Sequence, residues 1–80
     1  GYNGQITASG ERFDAYGKSV AHRWLPFGTR LRVTNQSNGK SVIVRVNDRG
    51  PYSGAGIDLT YGAAKVIGLS SGIVNIAVLN

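Results

Sequence analysis

Hydrophobic and polar residues alternate most cleanly in two neighbouring stretches. From Arg30 to Asn35, Leu31 and Val33 fall on one side and Arg30, Arg32 and Thr34 on the other. From Ser41 to Asn47, Val42, Val44 and Val46 share the inward side, while Ile43, Arg45 and Asn47 face out. A repeat of two marks strands with one covered face. The linking Gln36-Ser37-Asn38-Gly39-Lys40 supplies an Asn-Gly pair that tolerates positive φ in a tight turn. Together they predict a β-hairpin, Val-rich enough for a barrel wall. Gly72 to Leu79 predicts another strand, with Val74, Ile76 and Val78 on one face and Ile73, Ala77 and Leu79 on the other. Nearly all of these are apolar, so both faces are expected to be covered.

Between these strands the period changes. Ile57-Asp58-Leu59 reads as a short strand, and Thr60 is placed to cap a helix over Tyr61 to Ile67, with Gly68 as its stop. Leu59, Ala63, Val66 and Ile67 form the expected inner stripe. Leu25-Pro26-Phe27-Gly28 and Leu69-Ser70-Ser71-Gly72 each lead into a strand, the faint echo that a pseudo-two-fold barrel would produce.

Eighty residues make one domain, spanning 1–80, with a small core. With 41% hydrophobic and 16% charged residues the chain can offset its conformational entropy and fold. Its 12 glycines, about twice the usual ~7%, are scattered between apolar runs and predict many tight turns. No apolar run approaches the ~20 residues of a membrane span, and no charged-then-apolar leader is present, so a soluble piece is expected. The absence of Cys excludes a disulfide scaffold and a thiolate metal site. A chain that starts at Gly1 and contains no Met reads as a processed product or an excised piece. The net charge of +5 favours polyanionic surroundings: nucleic acid, an anionic membrane face or a charged glycan wall.

Any acid-base site must be drawn from Glu11, Asp14, Asp48, Asp58 and His22. Asp48 is the sharpest candidate, because it follows an apolar strand and stands at the lip of the core, where partial desolvation suits a general acid. The bland alternative is a turn-capping Asp before Arg-Gly-Pro. Asp58 has a similar alternative as a helix-capping acid ahead of Thr60. Glu11 reads by default as a solvated loop charge, and His22 as a satisfied structural histidine. Arg30, Arg32 and Arg45 most often make a solvated surface. For Trp24, Tyr16, Tyr52 and Tyr61, core or edge packing competes with stacking on sugar rings. No nucleophile elbow, phosphate loop, zinc spacing or dinucleotide fingerprint is present, so neither a metal nor a cofactor is expected.

Several runs together are more specific. Thr7-Ala8-Ser9-Gly10-Glu11-Arg12-Phe13 comes first, then Ala21-His22-Arg23-Trp24-Leu25-Pro26-Phe27-Gly28-Thr29. Val44-Arg45-Val46-Asn47-Asp48-Arg49-Gly50-Pro51 and Ile57-Asp58-Leu59-Thr60 follow in order. The chain closely resembles the rare lipoprotein A (RlpA-like) family over nearly its whole length. That resemblance implies a mainly β, six-stranded double-psi β-barrel with one short helix, in which the first strand is trimmed or replaced by 2–7. It also implies lytic transglycosylase activity on peptidoglycan glycan strands in the bacterial cell envelope, periplasmic or secreted, by septal-type lipoproteins. The family's site residues fall on Glu11, His22 and Asp48, and a related barrel motif keeps Asp58 in contention.

On this reading Asp48 is the general acid and base, His22 orients it or stabilises charge, and Glu11 supports. Asn47, Arg49, Trp24 and Tyr52 are the expected glycan contacts. The expected partner is the glycan strand, bound by a monomer without nucleic acid or transmembrane segment. A glycan-binding or expansin-like module that cuts no bond is the alternative. A basic nucleic-acid barrel ranks lower, because it needs stacking aromatics on one sheet face.

Overall fold

A computed structural model describes residues 4–52, 56–69 and 72–80. The described strands are β1 (Ser19–His22), β2 (Arg30–Asn35), β3 (Ser41–Asp48), β4 (Ile57–Leu59) and β5 (Val74–Val78), with one helix, α1 (Tyr61–Val66), between the last two. They form one sheet in the order β4-β1-β3-β2-β5. The β2–β3 hairpin has the expected antiparallel register, Leu31 opposite Val44 and Val33 opposite Val42. Gly39 sits at φ +74, which the turn requires and which a side chain resists.

Leu31, Val33, Val42, Val44, Val46 and Val20 are buried as the two-residue period predicts, and Ala63 and Ile67 close over them from the helix. Burial of each larger aliphatic contributes about 1.5–3 kcal/mol. Thr60 caps α1 by accepting the Ala63 amide at 3.3 Å, and its hydroxyl donates to the Gly17 carbonyl. At the other end Ile67 is the C-cap and Gly68 turns away at φ +66. Asn35 and Asn38 both donate to the Ile67 carbonyl, at 2.9 and 3.0 Å, tying the hairpin turn to the helix end.

Three expectations need correction. Val66 is 47% exposed rather than part of the inner stripe, because Ala63 and Ile67, one turn apart, take the whole contact of a six-residue helix. The last strand runs Val74–Val78 and is not covered on both faces: Ile76 is 42% and Val78 57% exposed. Both are paired with core residues, Val33 and Leu31, and so lean toward the core side. Among the described residues β5 is an edge strand, however, and the sheet is open between β4 and β5, leaving a cavity of about 510 Å³ lined by Ile57, Asp58, Leu59, Leu69, Val74 and Ile76.

The third correction concerns Asn47, which is buried at 4% exposure rather than facing solvent, because the N-terminal segment folds over it. That segment doubles back on itself, with Thr7 donating to the Glu11 carbonyl and Phe13 to the Gln5 carbonyl, but the pairing amounts only to an isolated bridge between Ile6 and Arg12. Five strands therefore stand in the sheet of the described residues, against the six expected. The second half of the sequence echo falls on Ser70 and Ser71, outside the described residues.

Candidate active site

β1 and β3 are parallel neighbours, so their C-terminal ends lie side by side although 26 positions separate His22 from Asp48. The register breaks there. Val20 pairs with Val46, but the next residue, Ala21, pairs with Asp48, leaving Asn47 as an extra residue. Such a bulge re-aims the side chain that follows it. Val46 points into the core; regular alternation would send Asp48 the same way, and the bulge turns it to the side of Ala21. On the other flank Ala21 pairs with Asp58, which alternates with the core-packed Ile57 and Leu59. Asp48 and Asp58 thus share the outer face of the sheet with only Ala21 between them, their strands about 10 Å apart at ~4.8 Å per step. They line a small cavity of about 70 Å³ together with Phe13, Ala21 and Asn47.

Asp48 is half-buried, as expected of a residue at the lip of the core. Its Oδ1 accepts two amide N–H bonds, from Ala8 and from Arg49, both at 2.9 Å. With both lone pairs of that oxygen engaged, Oδ2, which accepts no hydrogen bond among the described residues, is the oxygen able to carry a proton toward a ligand.

Glu11 is not a solvated loop charge. Its Oε2 accepts from Arg45 Nη1 at 2.6 Å, and its Oε1 accepts from Arg45 Nη2 and Asn47 Nδ2, both at 2.9 Å. These bonds, from Arg45 first and then Asn47, hold its carboxyl below the usual carboxylate range. Arg45 lies on the exposed face as expected, its side chain 46% exposed, and makes this ion pair there.

His22 ends β1, and its ring folds over its own turn. Nδ1 accepts the Trp24 and Leu25 amides at 3.2 and 3.1 Å, so the neutral ring carries its proton on Nε2. Burial, and then the charges of Arg49 and Arg23, lower its pKa below the ordinary 6.5. Among the described residues no hydrogen bond joins His22 to a carboxylate.

Arg49 holds this turn in place. Its Nη1 donates to the His22 and Leu25 carbonyls at 3.1 and 2.8 Å, and its guanidinium lies 3.9 Å over the Phe27 ring. The aromatics stand out from the surface rather than packing in the core: Trp24 is 73% and Tyr52 75% exposed, and Tyr16 and Tyr61 meet edge to face on the outside. Asp14 caps a turn by accepting the Tyr16 amide.

The sequence reading missed Arg45, Phe13, Ala21 and the Ala8 amide. Arg45 had a signal, since Arg45 and Asn47 lie two apart on one strand face and can grip one carboxylate. The others had none, because a backbone amide and a small spacer look the same in any loop or strand.

A family model described as lytic transglycolase matches residues 1–78. The chain is 57% identical over 79 residues to the "Probable endolytic peptidoglycan transglycosylase RlpA" of Synechocystis sp., covering 96% of this chain and 25% of that protein. It is 59% identical over 68 residues to the "Endolytic peptidoglycan transglycosylase RlpA" of Pseudomonas aeruginosa strain UCBPP-PA14, 84% of this chain and 20% of that protein. Against the protein of the same name from Vibrio cholerae the identity is 46% over 79 residues, 96% of this chain and 30% of that protein. The chain therefore spans a third or less of the length of these relatives.

Proposed function

Because the chain belongs to the RlpA-like lytic transglycosylase family, we propose that it is a domain that cleaves the β-1,4 bond between MurNAc and GlcNAc of peptidoglycan and leaves a 1,6-anhydro end. The observation that carries this reading is the state of Asp48: fixed through Oδ1 by two amides, with Oδ2 accepting no hydrogen bond among the described residues, at the rim of a trough on the outer face. Protonated Asp48 gives its proton to the glycosidic oxygen as the C1–O bond breaks. The sugar's own C6 hydroxyl closes on C1, and its proton passes to the Asp48 carboxylate, which restores the acid. One carboxyl suffices, whereas hydrolytic glycosidases use a matched pair. No step calls on a metal, and EDTA is expected to leave the rate unchanged.

His22 offers Nε2–H as a hydrogen-bond donor to a sugar oxygen beside the reacting bond, and Glu11 is the supporting carboxylate. Trp24 and Tyr52 give exposed aromatic faces for glycan rings, Arg49 steadies the turn that presents Trp24, and Asn47 shapes the trough floor. Asp58, across Ala21, is the second candidate for the acid. The domain acts as a monomer on glycan strands in the bacterial envelope, periplasmic or secreted. Its sheet closes as a six-stranded double-psi barrel once the gap between β4 and β5 is filled. Among the described residues no helix is long and apolar enough to cross a membrane.

The test is turnover of peptide-stripped glycan strands, with anhydro products read by mass spectrometry. Asp48→Asn is expected to lower the rate about 10²–10⁴-fold while glycan binding persists, and Asp58→Asn to lower it far less. Asp48→Asn turnover within tenfold of wild type overturns the assignment. Tight glycan binding by the wild type with no products identifies the non-catalytic module instead.

A further inference from the structure

We infer that Glu11, Arg45 and Asn47 form a clasp that positions Asp48 through the amide of Ala8, so that Arg45 and Asn47 are positioning residues and Glu11 acts through the clasp rather than as a proton carrier. The inference rests on the reading of Asp48 as the general acid. Of the two amides on Asp48 Oδ1, that of Arg49 is the next residue's own and needs no support. The amide of Ala8 arrives from 40 positions away, on the tip of the N-terminal turn, and reaches Asp48 only while that turn is pinned to β3.

Among the described residues few contacts pin it. Ser9 donates its amide to the Asn47 carbonyl at 3.2 Å, and the Glu11 carboxylate takes the three bonds from Arg45 and Asn47 already described. Charge-assisted, bidentate pairs of this kind fix geometry as well as adding energy. The sheet gives the anion a further use. Arg45 stands directly across from Arg30, and like charges in that relation repel unless an acid lies between them. Among the described residues the Glu11–Arg45 ion pair is the only one that answers this repulsion. A carboxylate held by three donors in this way is a poor proton shuttle but a firm tether. The bulge completes the device, since Asn47, one of the two residues that grip the turn, is also the extra residue that sets the direction of Asp48.

The test is steady-state kinetics of the whole protein on peptide-stripped glycan strands, with amide hydrogen exchange of the same variants. Arg45→Ala and Glu11→Ala are each expected to lower kcat about 10–100-fold, the scale of a small misplacement of a catalytic group, with KM changed less than about threefold. The double variant is expected to be no slower than the worse single one, because both remove one device. Glu11→Gln can still accept from Asn47 and Arg45, and its kcat should exceed that of Glu11→Ala by about tenfold. In Arg45→Ala the amides of Ala8 and Ser9 should exchange faster, while those of Leu31 and Val33 stay protected, which separates a lost clasp from a lost fold.

Glu11→Gln as slow as Glu11→Ala, with exchange at Ala8 as slow as in the wild type, makes Glu11 itself a proton-transfer group and overturns the inference. So does Arg45→Ala at wild-type kcat, or unchanged exchange at Ala8. If Asp48→Asn turns over normally, the acid has been misassigned and the clasp loses its catalytic meaning. That failure is recognisable because exchange at Ala8 still responds to Arg45→Ala.

Discussion

His22 combines a satisfied nitrogen with a free one. Two backbone amides fill Nδ1, so protonation there must break the turn that carries Trp24, and this cost adds to the burial and the arginine charges that already lower the pKa below 6.5. Trp24 packs edge-on against the imidazole, with ring centres 4.9 Å apart, and the chain has one His and one Trp. Trp fluorescence should therefore titrate in a single step with its midpoint below pH 6.5; a midpoint at or above 6.5 contradicts the geometry. The same shift fixes the sign of a stability change. A base whose folded pKa lies below its unfolded one contributes fully above pH 6.5, and that contribution is lost as pH falls toward the folded value. Glu11 works in the same direction at more acid pH: its carboxyl sits below the ordinary 4.5, so its share of stability is present above 4.5 and lost as pH falls through the depressed value. Thermal melts across pH 3–7 should show the lower phase weakened in Glu11→Gln.

Among the elements, α1 depends on two small features. Thr60 joins the helix cap to the Gly17 carbonyl, and Thr60→Ala is expected to cost about 1 kcal/mol or more. Gly62 has a stronger constraint: a Cβ there would lie 2.3 Å from the Tyr16 carbonyl oxygen, backbone that cannot swing aside, and the Gly62 amide donates to the Ala15 carbonyl at 2.8 Å. Gly62→Ala should destabilise by about 1–3 kcal/mol, measured by urea denaturation. A neutral result would mean that the 14–17 loop does not rest on the helix. The hairpin, the cap and Gly68 were legible because their causes are local: a two-residue period, Asn-Gly chemistry and a hydroxyl one residue before a helix. The bulge was not legible. Val46-Asn47-Asp48 reads as plain alternation, and only pairing with β1 reveals the extra residue.

At the scale of the molecule the core is thin. Leu31 is fully buried at the centre of the hairpin wall, and Leu31→Ala is expected to cost about 2–5 kcal/mol. That is a large part of the roughly 4–12 kcal/mol available to a chain of this size, so the melting temperature followed by circular dichroism should fall by about 10 °C or more. The opening between β4 and β5 explains why Ile76 is exposed although its pattern is that of a covered strand. Alternation states which side chains share a face, but whether that face is covered depends on which element lies across it.

The same division runs through the candidate site. The sequence by itself determined the hairpin and its inward residues, the capped helix, the short supply of carboxylates and the order of motifs that marks the family, because each lies in neighbouring residues or in composition. Tertiary structure decided that Arg45 and Asn47 grip Glu11, that Asp48 turns outward beside Asp58, and that an amide of Ala8 completes its shell. Those contacts join residues 34 to 40 positions apart. Hydrogen bonds and ion pairs act over a few ångströms of space, and only the closing of the chain on itself brings such residues that near.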